Sequence, residues 1–189
     1  MKLVINLLSI ILSIAYPFIV YALLKNGLTF YVAIFLLCVL VLRLLSSSTK
    51  KLYESLGIFV IGILMIGCYF IDNGNELFLL LYPVMINSVF FIVFTSSLLV
   101  GNTPIIEKIA SLRVPLEKQD VKFKSYCKKV TVLWSCFFVF NGFIALITVL
   151  IGNHEIWALY NGLIAYFLIG LMFACEFIVR RFILKINNQ

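Results

Sequence analysis

The chain has 189 residues, 63% of them hydrophobic and 12% charged, with mean hydropathy +1.14 and a formal net charge of +7. A soluble domain usually carries about 45–50% apolar and about 25% charged residues. This composition cannot make a polar surface, so a single integral membrane domain over residues 1–189 is expected, and the positive balance needs no nucleic-acid partner because membrane orientation accounts for it.

A helix rising about 1.5 Å per residue crosses a bilayer core in about 20 apolar residues. The apolar runs here are unbroken rather than alternating, which favours helices over strands. The first, Leu3–Leu24, opens like a secretory leader after Lys2 but runs on without a small-x-small cleavage site, so a retained first helix is expected. It carries Tyr16-Pro17. The second, Leu28–Leu45, has Arg43 near one end, where its long side chain can reach the headgroups. After the polar turn Ser46–Thr49 come Leu52–Ile71 and Leu77–Val100, the latter with Tyr82-Pro83 and, near its end, Thr95-Ser96-Ser97 placed to bond back to their own helix. Each proline inside a run frees a helix carbonyl and can kink the helix.

In the long connection that follows, Thr103 is expected to cap a short amphipathic helix with Pro104 in its first turn. Ile105, Ile106, Ile109 and Leu112 share one face, and Val114-Pro115 stops it. Val130–Ile151 and Ile156–Val179 complete the set. The predicted fold is all-α: a polytopic membrane protein with six transmembrane helices, N-in/C-in, and a cytosolic amphipathic helix between spans four and five.

The orientation follows from charge. With an N-terminus inside and six crossings, fourteen of the fifteen Lys and Arg residues fall on one side and only Lys25 on the other, beside Asp72, Glu76 and Glu155. Lys108, Arg113, Lys122, Lys124, Lys128 and Lys129 then form an inner basic segment suited to anionic phospholipid headgroups. Trp157, Tyr160, Tyr69, Tyr82 and Tyr31 are expected at the outer interface, and Trp134, Tyr126 and Tyr53 at the inner one.

The pentapeptide Asn-Gly-apolar-Ile-Ala occurs twice, from Asn141 and from Asn161. In a soluble protein it would signal a hairpin turn. Inside a span, Gly142 and Gly162 let backbones approach, and the two Asn amides can bond across the contact. Ala158/Gly162 and Gly170/Ala174 add small-xxx-small pairs. Folding the last two runs about Asn153 puts Asn141 level with Tyr166 and Asn161 level with Leu146. The candidate polar seam is therefore Asn141, Gly142, Tyr160, Asn161, Gly162, Tyr166, Glu176 and Arg180. It reads either as helix packing or as a substrate-facing patch. Glu176 reads either as an interfacial ion pair with Arg180 or as a coupling carboxylate.

Catalytic, cofactor and metal sites are not expected. The five cysteines are scattered with no CxxC pair, four of them read as buried and one as a cytosolic thiol, and the lone His154 reads as solvated. These features favour a non-enzymatic protein over a small transporter or lipid-handling protein with a polar path through the last two helices, and over a membrane acyltransferase.

The second half, with TPIIEKIASLRVP, VTVLWSCFFVFNGFIA and WALYNGLIAYFLIGLMFACEFIVRR, resembles a family of uncharacterised bacterial inner-membrane proteins often encoded with aryl-polyene or fatty-acid-type biosynthesis genes. It is more distantly similar to the intracellular septation protein A family, through Pro104-Ile105-Ile106, Trp134 to Phe138, and Trp157. Tyr160-Asn161-Gly162 departs from that family's pattern. The resemblance implies an inner-membrane protein of cell-envelope biogenesis or septation, a scaffold with other envelope membrane proteins as partners. It carries over no catalytic residue.

Overall fold

The computed structural model describes residues 2–46, 52–112, 114–115 and 119–186. Among them every regular element is a helix. In chain order these are α1 (Lys2–Lys25), α2 (Thr29–Ser46), α3 (Leu52–Ile71), α4 (Leu77–Leu80), α5 (Tyr82–Ser96), α6 (Ile105–Ala110), α7 (Val121–Ile151), α8 (His154–Leu159), a π-helical turn (Tyr160–Ile164) and α9 (Ala165–Ile186). Two helical stretches, Val121–Ile151 and His154–Arg181, are long and apolar enough to cross a membrane. The other apolar stretches whose side chains are described are shorter: Ile11–Lys25, Thr29–Leu42, Phe59–Ile71 and Tyr82–Ser96. The predicted Leu77–Val100 run is not one helix, because Leu81 interrupts it between α4 and α5, just ahead of Pro83, and α5 ends at Ser96. A proline lacks the N–H that would continue the ladder, and its ring crowds the preceding turn.

The chain forms two compact units, 1–84 with 144–166, and 85–143 with 167–189. In the first, α1 ends in a Schellman motif. Gly27, at φ +68°, donates to Leu24 O at 2.9 Å while Leu28 N donates to Leu23 O at 2.9 Å, which reverses the chain into α2. The core of this unit is Tyr16, Val20, Leu24, Val32, Leu36, Val39, Leu40, Leu79, Leu80 and Trp157, all buried. A side chain at Gly62 of α3 would collide with Leu40 of α2, so the glycine sets how closely those helices pack.

In the second unit, Val130, Trp134 and Phe138 of α7 are the buried core, with Phe91, Phe94, Ile106, Phe137, Ile169 and Met172 against them. Their rings stack and tilt at 4.8–6.4 Å, as in Phe90–Phe138 at 5.1 Å and Trp134–Phe173 at 4.8 Å. Such aromatic pairs add specific geometry to apolar burial.

The expected amphipathic helix is α6, but Pro104 rather than Thr103 is its N-cap residue, and the orphan N–H of Ile105 is taken by Ser97 Oγ at 3.0 Å. Ile106 packs on the aromatic core, whereas Ile109 and Leu112 are exposed. Ser96 and Ser97 bond back to Val93 O and Phe94 O as expected, while the buried Thr95 hydroxyl makes no hydrogen bond.

Candidate functional site

The first unit contains a buried set of aromatic and amide hydrogen bonds organised by its two prolines. Pro17 cannot donate to the carbonyl four residues back, that of Ser13, and the Tyr166 hydroxyl donates to it at 3.2 Å. Pro83 leaves the Leu79 carbonyl in the same state, and Tyr16 donates to that oxygen at 2.9 Å. The break at Leu81 also turns out the Leu80 carbonyl, which accepts from Trp157 Nε1 at 3.1 Å. Tyr16 packs on Tyr82 at 4.6 Å, on Phe35 at 5.8 Å and edge-on to Trp157 at 6.5 Å. Side chains from neighbouring helices thus donate to carbonyls at which a proline cannot supply the helical N–H, or which lie at the break beside one.

The second Asn-Gly copy lies in the π-helical turn. There Ala165 N–H reaches Tyr160 O, a five-residue step that inserts one residue into the helix. Asn161 Nδ2 bonds Trp157 O at 2.9 Å and Thr148 Oγ1 at 3.2 Å, two residues from its predicted level at Leu146. A Cβ at Gly162 would stand 2.8 Å from the Phe18 ring, so this glycine does admit a close helix contact. Tyr160 is buried with Ala145 and Ala165.

The first copy behaves differently. Asn141 and Gly142 are buried in the second unit, and Asn141 Nδ2 bonds Asn87 Oδ1 at 3.0 Å, a partner on α5 that the hairpin register did not name. Within the first unit, Tyr166 bonds Ser13. Gly170 and Ala174 are exposed, and nothing stands within 4 Å of a Cβ at Gly170, so that small-residue pair is no packing contact here.

Glu176, half-buried, and Arg180, exposed, do not close the expected ion pair. The guanidinium lies over Phe177 at 5.8 Å, where a ring face competes for it, and Tyr126 reaches the Glu176 backbone carbonyl at 3.5 Å. Lys108, Lys122, Lys124, Lys128 and Lys129 are exposed, while Arg113 lies outside the described residues, as does the Tyr53 side chain.

Three further expectations are corrected. Trp157, Tyr160, Tyr69, Tyr82 and Trp134 are core residues rather than an interfacial belt, because their rings fill the helix contacts; Tyr31 is exposed. Four cysteines were expected to be buried, but only Cys127 is, and Cys38, Cys68, Cys136 and Cys175 are exposed. His154 is not merely solvated. Its Nε2 lies 2.7 Å from Glu76 Oε1 and ties the α3–α4 connection to the start of α8.

Beside that pair lies an open cleft of about 350 Å³ lined by Tyr21, Lys25, Gly152, Asn153, His154 and Glu155. Asn153 Oδ1 accepts from the Glu155 and Ile156 amides and caps α8. Among the described residues no group of His, Cys, Asp and Glu is arranged to hold a metal ion. Comparison with models of known protein families, with curated proteins and with solved structures finds no match.

Proposed function

We propose that the chain is a non-enzymatic, multi-pass protein of the bacterial inner (cytoplasmic) membrane, crossing it six times with both ends inside. In this reading it serves cell-envelope biogenesis or septation as a scaffold or lipid- and partner-binding bundle. The observation that carries the reading is the last helix: of the apolar window within His154–Arg181, only 11% is buried. Phe167, Leu171, Phe173 and Phe177 are all exposed along it. An apolar face of this size is covered by lipid or by another membrane protein.

Two of the other four crossings, α1 and α3, draw support from length. α1 and α3 have 24 and 20 residues, and at about 1.5 Å per residue each reaches across a hydrocarbon core of about 30 Å. The envelope assignment rests on the resemblance in the second half. A small transporter or lipid-handling protein is the second reading, favoured by the π-helical turn at Asn161, since such turns occur frequently at functional sites. Asn161 already bonds Thr148 and Trp157, which favours packing.

The test is residue accessibility in cells, in a cysteine-free background. Lys122→Cys should label with an impermeant reagent only after the membrane is opened, and Asn153→Cys should label in intact cells. Labelling of Lys122→Cys in intact cells overturns the arrangement. A photo-crosslinker at Phe173 should capture lipid or a membrane protein, and capture of neither removes the scaffold reading.

A further inference from the structure

The outer-cleft residues form a charge arrangement that the proposed function does not use. Tyr21 organises it. The Tyr21 hydroxyl donates to Glu155 Oε1 at 3.1 Å, and Lys25 Nζ lies over the Tyr21 ring at 5.8 Å from its centroid. One ring thus holds a carboxylate at its edge and an ammonium on its face. The two charges line the same cleft, yet among the described residues Lys25 forms no ion pair, and neither does Glu155. His154 lines one wall, its Nε2 held 2.7 Å from Glu76 Oε1.

We infer that this cleft binds a small zwitterion, an ammonium joined by a short carbon link to a phosphate or carboxylate, with the anion on Lys25 and the ammonium on Glu155. Opposite charges held apart favour a ligand that carries both signs and disfavour one that carries a single charge. The cleft offers about 350 Å³ and is largely open, so it suits a small headgroup-sized ligand rather than one that must be enclosed. The proposed membrane arrangement adds a second point. Lys25 is the one basic residue that the charge distribution puts on the outer side, against the prevailing bias, and it stands in this cleft. Two sources share the chemistry: the phosphoethanolamine headgroup of a membrane lipid, and a free amino-phosphate or amino acid in solution. The lipid source and the outer placement of Lys25 rest on the membrane reading above, whereas the charge geometry of the cleft does not.

The experiment uses the full-length protein purified in detergent. Native mass spectrometry measures retention of phosphatidylethanolamine against phosphatidylglycerol of the same acyl chains, and titration measures binding of free O-phosphoethanolamine and of glycine. Preference for phosphatidylethanolamine that falls about tenfold in both Lys25→Gln and Glu155→Gln identifies the headgroup. Free-zwitterion binding with the same sensitivity identifies a soluble ligand. Equal retention of the two lipids with no free-ligand binding, or a preference unchanged in both variants, overturns the inference. Lys25→Arg, which keeps the charge, should retain binding and shows that any loss in Lys25→Gln is not misfolding. Because binding is read on purified protein, a negative result here leaves the accessibility test of the membrane arrangement standing.

Discussion

The Tyr166 hydroxyl donates to the Ser13 carbonyl at 3.2 Å, four residues before Pro17 in α1. Tyr16 serves Leu79, four residues before Pro83, in the same way at 2.9 Å. In both cases a tyrosine from another helix occupies the acceptor that a proline leaves without its backbone donor. The two prolines are thereby docking points between helices rather than simple kinks.

A double-mutant cycle checks this relationship. Tyr166→Phe should destabilise the protein by about 0.6–1.7 kcal/mol, the range for hydrogen bonds between membrane helices. In a Pro17→Ala background, where residue 17 again donates to Ser13 O, the same change should cost measurably less. Equal costs in the two backgrounds, measured by unfolding in mixed detergent, would separate the tyrosine from the proline.

Gly162 should tolerate no side chain while Phe18 is in place. The Cβ of Gly162→Ala would meet the ring at 2.8 Å and force the α1 contact apart, at a cost of about 1–3 kcal/mol. Phe18→Leu in the same chain should recover part of the loss, as read by thermal stability in detergent.

Asn141 and Asn87 should behave as a unit. Asn141→Leu removes the donor to a buried amide oxygen and should cost about 1–3 kcal/mol. Replacing both by Leu removes the buried polar groups together and should lie closer to wild type than the single variant. A double variant less stable than either single change argues against the pairing.

The His154–Glu76 pair should contribute little to stability. Its side chains are 31% and 33% exposed, so screening by solvent leaves it about 0–1 kcal/mol. His154→Ala should shift the melting temperature only slightly, as read by thermal unfolding in detergent.

Much of the candidate site was legible in part. The Asn-Gly repeats and the Tyr-Pro pairs are visible as letters, and folding a short hairpin puts Asn161 level with Leu146, two residues from its partner Thr148. The partners of Tyr16, Trp157 and Asn141 were not legible, because Leu79, Leu80 and Asn87 come from chain segments 54–77 residues away. No local period or motif encodes such a distance. The π-helical turn was equally hidden, since Asn-Gly is compatible with a turn, a packing glycine or an inserted residue.

Composition and the unbroken apolar runs by themselves determined that the chain is helical and apolar on its surface, because backbone groups in such segments must be satisfied within the helix. Tertiary packing alone decided that Trp134, Trp157, Tyr69 and Tyr82 are core rather than belt, and that Glu76 rather than solvent faces His154. An aromatic or charged side chain has several acceptable surroundings of similar free energy, and only the neighbours brought in by the fold choose among them.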